Sequence, residues 1–386
     1  MLPIKIDLPK SFFNIETRCD YTVSKQAKEL WAVLLDLLCE FDGVCKKHNI
    51  EYSLDAGSML GAVRHKGFIP WDDDVDVILL RPEFEKLCKI APQEFSHPYF
   101  WQTNDTDPGS MRRHAQLRNS ETTCILKSET ENSVPIYSFN QGIALDVFVL
   151  DAIPEDRNVL SAWRKELAEH IDAMWEMRHL FYKNNRPEWL KEAILEEAHC
   201  YDAIVSQFND KNCQLVSNVS LIPERKESDY FKKEIFLDLT DYEFEGFSFP
   251  GPRRYEDMLN GYYGDWHKYV INNGVHGEVL LDTHKSYTSY LQKQKDNNAE
   301  NLHPLTKVLI QRNRAWKECE DKGRECKEAW KECEAKDKEL ERIKNEKESI
   351  LNEMGTLKVS YDELYKKYQK WNPSRFLHIF RKKDKA

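Results

Sequence analysis

The chain reads as an α/β domain, a mixed sheet with flanking helices, continued by a C-terminal helical coiled coil. Three observations carry this reading. Segments with helical apolar spacing alternate with short apolar runs bounded by Gly and Pro. Two of those runs, Val75 to Leu80 and Ile143 to Leu150, are apolar enough for buried strands, yet each contains an aspartate. From about residue 310, Lys and Glu dominate, Gly and Pro nearly vanish and a seven-residue repeat sets in.

The elements follow in order. Residues 1–24 read as an irregular lead-in. Residues 25–48 read as a helix, with Leu30, Ala32, Val33, Leu34, Leu37, Leu38 and Phe41 on a broad apolar face. Ile50 to Leu54 reads as a strand, and Gly57-Ser58 turns it into a short helix through Val63. Lys66-Gly67 ends that helix, Pro70 marks a bend, and Val75 to Leu80 is a strand. Pro82 opens the next helix near its first turn. After the strand from Ile143 come helical residues 158–209, two short strands around Gly246, and a helix from Arg253 that ends between Gly261 and Trp266. The domain is expected over 25–290, with 158–209 as a helical elaboration.

The coiled coil is expected over 310–371. Ala315-Trp316-Lys317-Glu318-Cys319-Glu320 recurs at Ala329 to Glu334, two heptads on. Leu340, Met354, Tyr361 and Tyr368 share one core position, extended upstream by Cys319, Cys326 and Cys333, with Lys347 breaking it. Ile343, Ile350, Leu357, Leu364 and Trp371 fill the other. Residues 372–386 form a basic tail with Phe376, Leu377, Ile379 and Phe380 among Arg and Lys. The coil is expected to make a homo-oligomer, and the tail to touch anionic lipid at the inner face of the cell membrane.

Composition excludes several classes. A net charge of −10 argues against a nucleic-acid partner. The N-terminus lacks a signal-peptide core, and the longest apolar run, Leu30 to Phe41, carries Asp36 and Glu40 and is too short for a bilayer. A cytoplasmic protein is expected. Its ten cysteines show no Cys-x-x-Cys pair and no zinc-ligand spacing, so they are expected to be reduced.

Chemistry concentrates in Gly57 to Val77. Asp72, Asp73, Asp74 and Asp76 place four carboxylates in five positions behind a Gly-Ser turn. Carboxylates that close repel unless a hard divalent cation sits among them. In a strand, Asp74 and Asp76 share a face, Asp72 joins them if the strand extends that far, and Asp73 faces away. Asp72, Asp74, Asp76 and the strand-embedded Asp146 are therefore candidate ligands of Mg²⁺ or Mn²⁺. Asp74, Asp76 and Asp146 are the candidate catalytic residues, with Asp146 completing the shell or taking a hydroxyl proton. Gly57 allows close backbone approach, and Ser58 with the helix start offers N–H groups to phosphate.

The basic residues are more ambiguous. Arg64, with His65 and Lys66, suits a phosphate contact or a helix C-terminus equally. Arg118, with Arg112, Arg113 and Lys127, suits phosphate or the surface. Arg253 and Arg254 are similar. Tyr263-Gly264-Asp265-Trp266 reads as a packing corner at a helix end.

The segments Leu54-Asp55-Ala56-Gly57-Ser58-Met59-Leu60-Gly61 and Arg64-His65-Lys66-Gly67-Phe68-Ile69-Pro70-Trp71-Asp72-Asp73-Asp74-Val75-Asp76-Val77 resemble the LicD/fukutin-related family of nucleotidyltransferase-fold phosphotransferases. Gln116 to Thr122, Gly142 to Phe148 and Tyr263 to Trp266 add weaker support. The resemblance implies a nucleotidyltransferase-like sheet. It also implies transfer of phosphocholine or a polyol phosphate from a CDP-linked donor to a glycan or glycolipid hydroxyl, in a teichoic acid, lipopolysaccharide or capsule precursor. Two other readings stand beside it: a metal-dependent glycosyltransferase using Asp-x-Asp, and a non-catalytic coiled-coil scaffold for glycan enzymes.

Overall fold

The computed structural model describes residues 2–131, 134–135, 137–183, 188–209, 213–218, 220, 230–271 and 279–291, together with Lys338 and Arg342. Two compact units divide the chain, Met1–Asn301 and Leu302–Ala386. The coiled coil expected over 310–371 and the basic tail lie outside the described residues, Lys338 and Arg342 apart. No helix among the described residues is long and apolar enough to cross a membrane.

The lead-in is irregular over residues 2–9 but not throughout. It forms a hairpin of β1 (Glu16–Arg18) and β2 (Tyr21–Val23) and runs along α1 (Lys25–His48). The reason lies in α1, which is buried on every side from Leu30 to Leu38 rather than on one face. Asp36, in the middle of that stretch, is 1 % exposed. Its Oδ1 accepts the Lys5 and Ile6 N–H groups at 2.6 and 3.0 Å, and its Oδ2 accepts the Tyr99 hydroxyl at 2.7 Å. A buried carboxylate needs such partners, and here they hold the N-terminal segment on the helix. Ser24 Oγ caps the start of α1 by accepting the Ala27 N–H, and Asn49 ends it in the left-handed region with φ 52°.

Downstream come β3 (Ser53–Leu54), α2 (Ala56–His65), β4 (Asp76–Leu80), α3 (Arg81–Glu94), β5 (Tyr99–Gln102), β6 (Ala115–Asn119) and β7 (Thr123–Leu126). The two-residue strands β8 (Thr130–Glu131) and β9 (Val134–Pro135) pair with each other, and β10 (Ile143–Ala152) follows. The mixed sheet is built around β10. It runs parallel to β4 on one side and antiparallel to β6 and then β11 (Leu215–Asn218) on the other. The short β3 pairs antiparallel with the outer side of β4, β5 with β6, and β12 (Phe231–Lys232) with β11. Along β10, Ile143, Leu145 and Val147 are fully buried while Ala144, Asp146 and Phe148 are half-buried, the alternation of a strand with one core face.

The helical elaboration is an antiparallel pair, α4 (Arg157–Lys183) and α5 (Glu188–Ser206). Trp163 Nε1–H donates to the Ile204 carbonyl at 2.9 Å near one end, and buried His170 bonds Glu197 near the middle. Two strands, β13 (Leu239–Phe244) and β14 (Phe247–Pro252), form the expected hairpin. Its turn residues, Glu245 and Gly246, both have positive φ (48° and 83°), as a two-residue type I′ turn requires. Helix α6 (Tyr255–Tyr263) then packs beside α2, and β15 (Val279–Asp282) pairs with β7.

Candidate active site

The site is assembled where β3 hands over to α2 and where β4 meets β10. Strand alternation in the acidic segment begins only at Asp76, because β4 starts there. Residues 72–75 run outside regular structure, so period-two reasoning does not separate Asp73 from its neighbours. Asp72, Asp73 and Asp74 each bring a carboxylate oxygen within 4.8 Å of the others. This turn is anchored at its backbone: Asp72 N–H donates to the Ile69 carbonyl at 2.9 Å, and Trp31 Nε1–H donates to the Asp72 carbonyl at 3.0 Å. Trp31 itself stacks on Phe68, with ring centroids 4.8 Å apart.

Asp76 and Asp146 face each other in register across the parallel pair. The Asp146 N–H donates to the Val75 carbonyl at 3.1 Å, and the Asp76 N–H donates to Ser58 Oγ at 2.8 Å. Ser58 thus ties the first turn of α2 to β4. Gly57 sits in the same turn. A Cβ there would lie 2.8 Å from Asp72 Oδ2, so the missing side chain is what lets that carboxylate lean over the helix start.

Electrostatics sort the acids. Burial pushes Asp76 well above the ordinary carboxylate range, and Asp74, Asp146, Asp55 and Asp72 push it further. Burial opposes ionisation of Asp146 too, but contacts from His114 and Gln116 and the charge of Arg112 outweigh it and hold its pKa down. His114 Nε2–H donates to Asp146 Oδ1 at 3.2 Å, and Gln116 Nε2–H donates to the same oxygen. Burial pushes His114 toward its neutral form.

Of the basic candidates, Arg64 turns away from the acids. It donates to the Trp266 and Lys268 carbonyls at 2.9 and 3.4 Å and lies 4.8 Å from the Tyr269 ring. Arg118 is 3 % exposed and donates to Gln102 Oε1 at 2.6 Å, to the Gly142 carbonyl at 2.5 Å and to Gln116 Oε1. It therefore stands behind Asp146, holding Gln116, rather than at an open phosphate site. Burial, then Arg112, lower its pKa to about 10. Arg253 and Arg254 pair at the surface with Asp238, Glu234 and Asp257.

Sequence reasoning missed four contributors. Asp55, 1 % exposed, lies beside Asp76 through a backbone hydrogen bond of 3.0 Å and accepts the Tyr262 hydroxyl at 2.9 Å. Burial and then Asp55, Asp76, Asp72 and Asp74 push the Tyr263 hydroxyl up, so it faces the acids in its protonated form. Gln116 and Arg118 share one face of β6 by alternation, and His114 lies just before the strand, so their spacing of two was the legible signal.

Residues 49–139 match the family model described as "LicD/FKTN/FKRP, nucleotidyltransferase domain". The match to the LicD family thus rests on residues 49–139. The chain is similar to the lipopolysaccharide cholinephosphotransferase LicD of Haemophilus influenzae, 27 % identical over 254 residues, which cover 62 % of this chain and 91 % of that protein. An uncharacterized protein of Rickettsia typhi is 38 % identical over 194 residues, 49 % of this chain and 57 % of its own length. Another, of Rickettsia prowazekii, is 40 % identical over 60 residues, 16 % of this chain and 23 % of its own length. The LicD-family match contains Gly57, Ser58, Asp72 to Asp76, His114, Gln116 and Arg118, and ends before Asp146.

Two expectations arise from this geometry. Gly57→Ala should lower turnover by about 10- to 100-fold, the scale of a roughly 1 Å misplacement, because Asp72 must swing away. The fold should survive, since Ala in a helix is favoured over Gly by roughly 1 kcal/mol. The second concerns pH. Burial, helped by Arg64 and Arg18, lowers His65 to about 4. A histidine whose folded pKa lies below its unfolded one contributes full stability above pH about 6.5, lost as pH falls toward 4. The melting temperature should decline over that window, and His65→Gln should flatten the decline.

Proposed function

We propose that this protein is a divalent-cation-dependent phosphotransferase. It moves a substituted phosphate, phosphocholine or a polyol phosphate, from a CDP-linked donor to a hydroxyl of a cell-surface glycan precursor of the lipopolysaccharide kind. The observation that carries the reading is the convergence of Asp76 and Asp146 from parallel neighbouring strands beside Asp72 and Asp74, at the start of α2. An all-oxygen set of this charge fits a hard cation, and the raised pKa of Asp76 is the strain such a charge would relieve. Asp72, Asp74, Asp76 and Asp146 would hold Mg²⁺ or Mn²⁺, with Asp73 within reach. When bound, the ion offsets negative charge on the donor diphosphate and polarises phosphorus.

The chain's own residues do the rest. The α2 start presents N–H groups toward the donor, and Gly57 leaves room for it. His114 and Gln116 hold Asp146 Oδ1, which keeps that carboxylate ionised and fixed in direction. The acceptor hydroxyl oxygen forms a bond to the donor's terminal phosphorus as the bond to the CMP oxygen breaks. The hydroxyl proton passes to Asp146, and CMP leaves. Similarity to the Haemophilus cholinephosphotransferase supports this class of reaction and acceptor. We further propose a cytoplasmic enzyme that oligomerises through 310–371 and meets anionic lipid through its basic tail.

The test is CMP release by the full chain with CDP-choline or CDP-ribitol, a lipooligosaccharide acceptor, and Mg²⁺ or EDTA. Release that requires both cation and acceptor is expected. Transfer from a UDP-sugar instead, or turnover in EDTA, would sink the reading.

A further inference from the structure

A cavity of about 470 Å³ lies between α3, α5 and the loop from β5 to β6. That volume is in the range of small-ligand sites. Its wall includes His114, the same imidazole that bonds Asp146, so the cavity adjoins the acidic centre. Its strand residues, Ala115 and Val149, alternate with Gln116 and Asp146 and so lie on the opposite face of the sheet, which leaves His114 as the link between the cavity and Asp146.

The chemistry of the wall narrows what enters. Arg112 and Arg113 precede His114 and line the cavity. Glu129 Oε1 lies 3.3 Å from Arg112 and 3.6 Å from Arg178, so two guanidiniums share one buried carboxylate. Elsewhere on the wall Arg81 faces two carboxylates, Asp151 and Asp202, and His199 lies beside Asp105. Glu85 and Lys89 stand one turn apart on the rim. The positive surplus is thus local to the Arg112 end of the cavity, where two guanidiniums meet one carboxylate. Arg112 Nε and Asn104 Oδ1 are buried with no hydrogen-bond partner among the described residues. Buried polar groups are rarely left so, and a ligand bearing both an anionic oxygen and a hydroxyl would complete such a wall. Trp101 and Tyr201 add apolar ring surface to the lining, which suits a sugar.

We infer that this cavity is the acceptor subsite and that it takes an anionic sugar, one carrying phosphate or carboxylate, with its hydroxyl presented past His114 to Asp146. The word acceptor rests on the reaction proposed above; the sugar-anion specificity rests on the cavity alone.

The experiment is calorimetric titration of the full chain with glucose 6-phosphate and with glucuronate, using glucose as the neutral control and CDP-choline as competitor. At least one anionic sugar is expected to bind tenfold or more tighter than glucose, undisplaced by CDP-choline. Arg112→Lys, which keeps the charge and loses the Nε donor, should weaken binding three- to tenfold. Lys89→Glu, on an exposed side chain that leaves the interior untouched, should weaken it in the same range. Equal binding of glucose and its phosphate, no binding at millimolar concentration, or insensitivity to both substitutions overturns the inference. Displacement by CDP-choline overturns it as well, because the cavity would then belong to the donor. Asp76→Asn should leave glucose 6-phosphate binding intact, so a failed transfer reaction with intact sugar binding removes the word acceptor and keeps the site.

Discussion

Asp76→Asn is expected to reduce transfer by at least about 10²–10³-fold, the scale seen when a group stabilising transition-state charge is removed. The fold should survive and, without divalent cation, gain stability. Asp76 is 9 % exposed and sits among Asp55, Asp72, Asp74 and Asp146, so its ionised form is strongly disfavoured. Its folded pKa therefore lies above its unfolded one, and the folded state holds the extra proton. Stability from this group is present at low pH and is lost as pH rises through the folded value. In EDTA the melting temperature of the Asn protein should exceed that of the wild type by a margin that grows as pH rises above the ordinary carboxylate range. Added Mg²⁺ should raise the wild type at pH 8 and leave the variant nearly unmoved. An active Asp76→Asn enzyme would be incompatible with the proposed site.

Arg81→Leu is expected to cost about 3–5 kcal/mol, the scale for removing one partner of a buried ion pair. Arg81 Nε–H and an Nη2–H grip Asp151 Oδ1 and Oδ2 at 2.8 and 2.6 Å, while an Nη1–H donates to Asp202 at 2.7 Å. Asp151 is fully buried near the end of β10, Arg81 opens α3 directly after β4, and Asp202 lies on α5. One guanidinium thus links three elements, and its loss leaves Asp151 uncompensated in the interior. Arg81→Leu combined with Asp151→Leu should recover most of the loss, since neither then strands a charge. Chemical denaturation of the three proteins would decide it. A single Arg81→Leu protein within about 1 kcal/mol of wild type would contradict the account.

Much of this could be read along the chain. Helix α1 begins and ends as its pattern implies, with Ser24 before it and Asn49 after it. The strands at Asp76 and Ile143, the helical residues beyond Arg157 and the hairpin at Gly246 announce themselves through apolar runs and turn residues. These are local signals. The lead-in was misjudged because what orders it is distant: Asp36 collects the N–H groups of Lys5 and Ile6 across some thirty residues. Arg64 and Arg118 could be placed near phosphate only by their charge. Nothing local says that one caps the carbonyls of Trp266 and Lys268 and the other is walled in by Gln102, Gly142 and Gln116.

By itself the sequence determined which atoms are available: a dense set of carboxylates behind a Gly-Ser turn, on segments too apolar to lie in solvent. Composition and short-range spacing suffice for that, because helix and strand periodicities act over a few residues. Tertiary structure alone decided how they meet. Pairing β4 with β10 in parallel register brings together Asp76 and Asp146, seventy residues apart. The β6 strand then adds Gln116, the residue just before that strand adds His114, and α6 lays Tyr262 over Asp55. Such contacts depend on strand register and on which face each side chain takes, and these are fixed by packing of the whole core rather than by any neighbour in sequence.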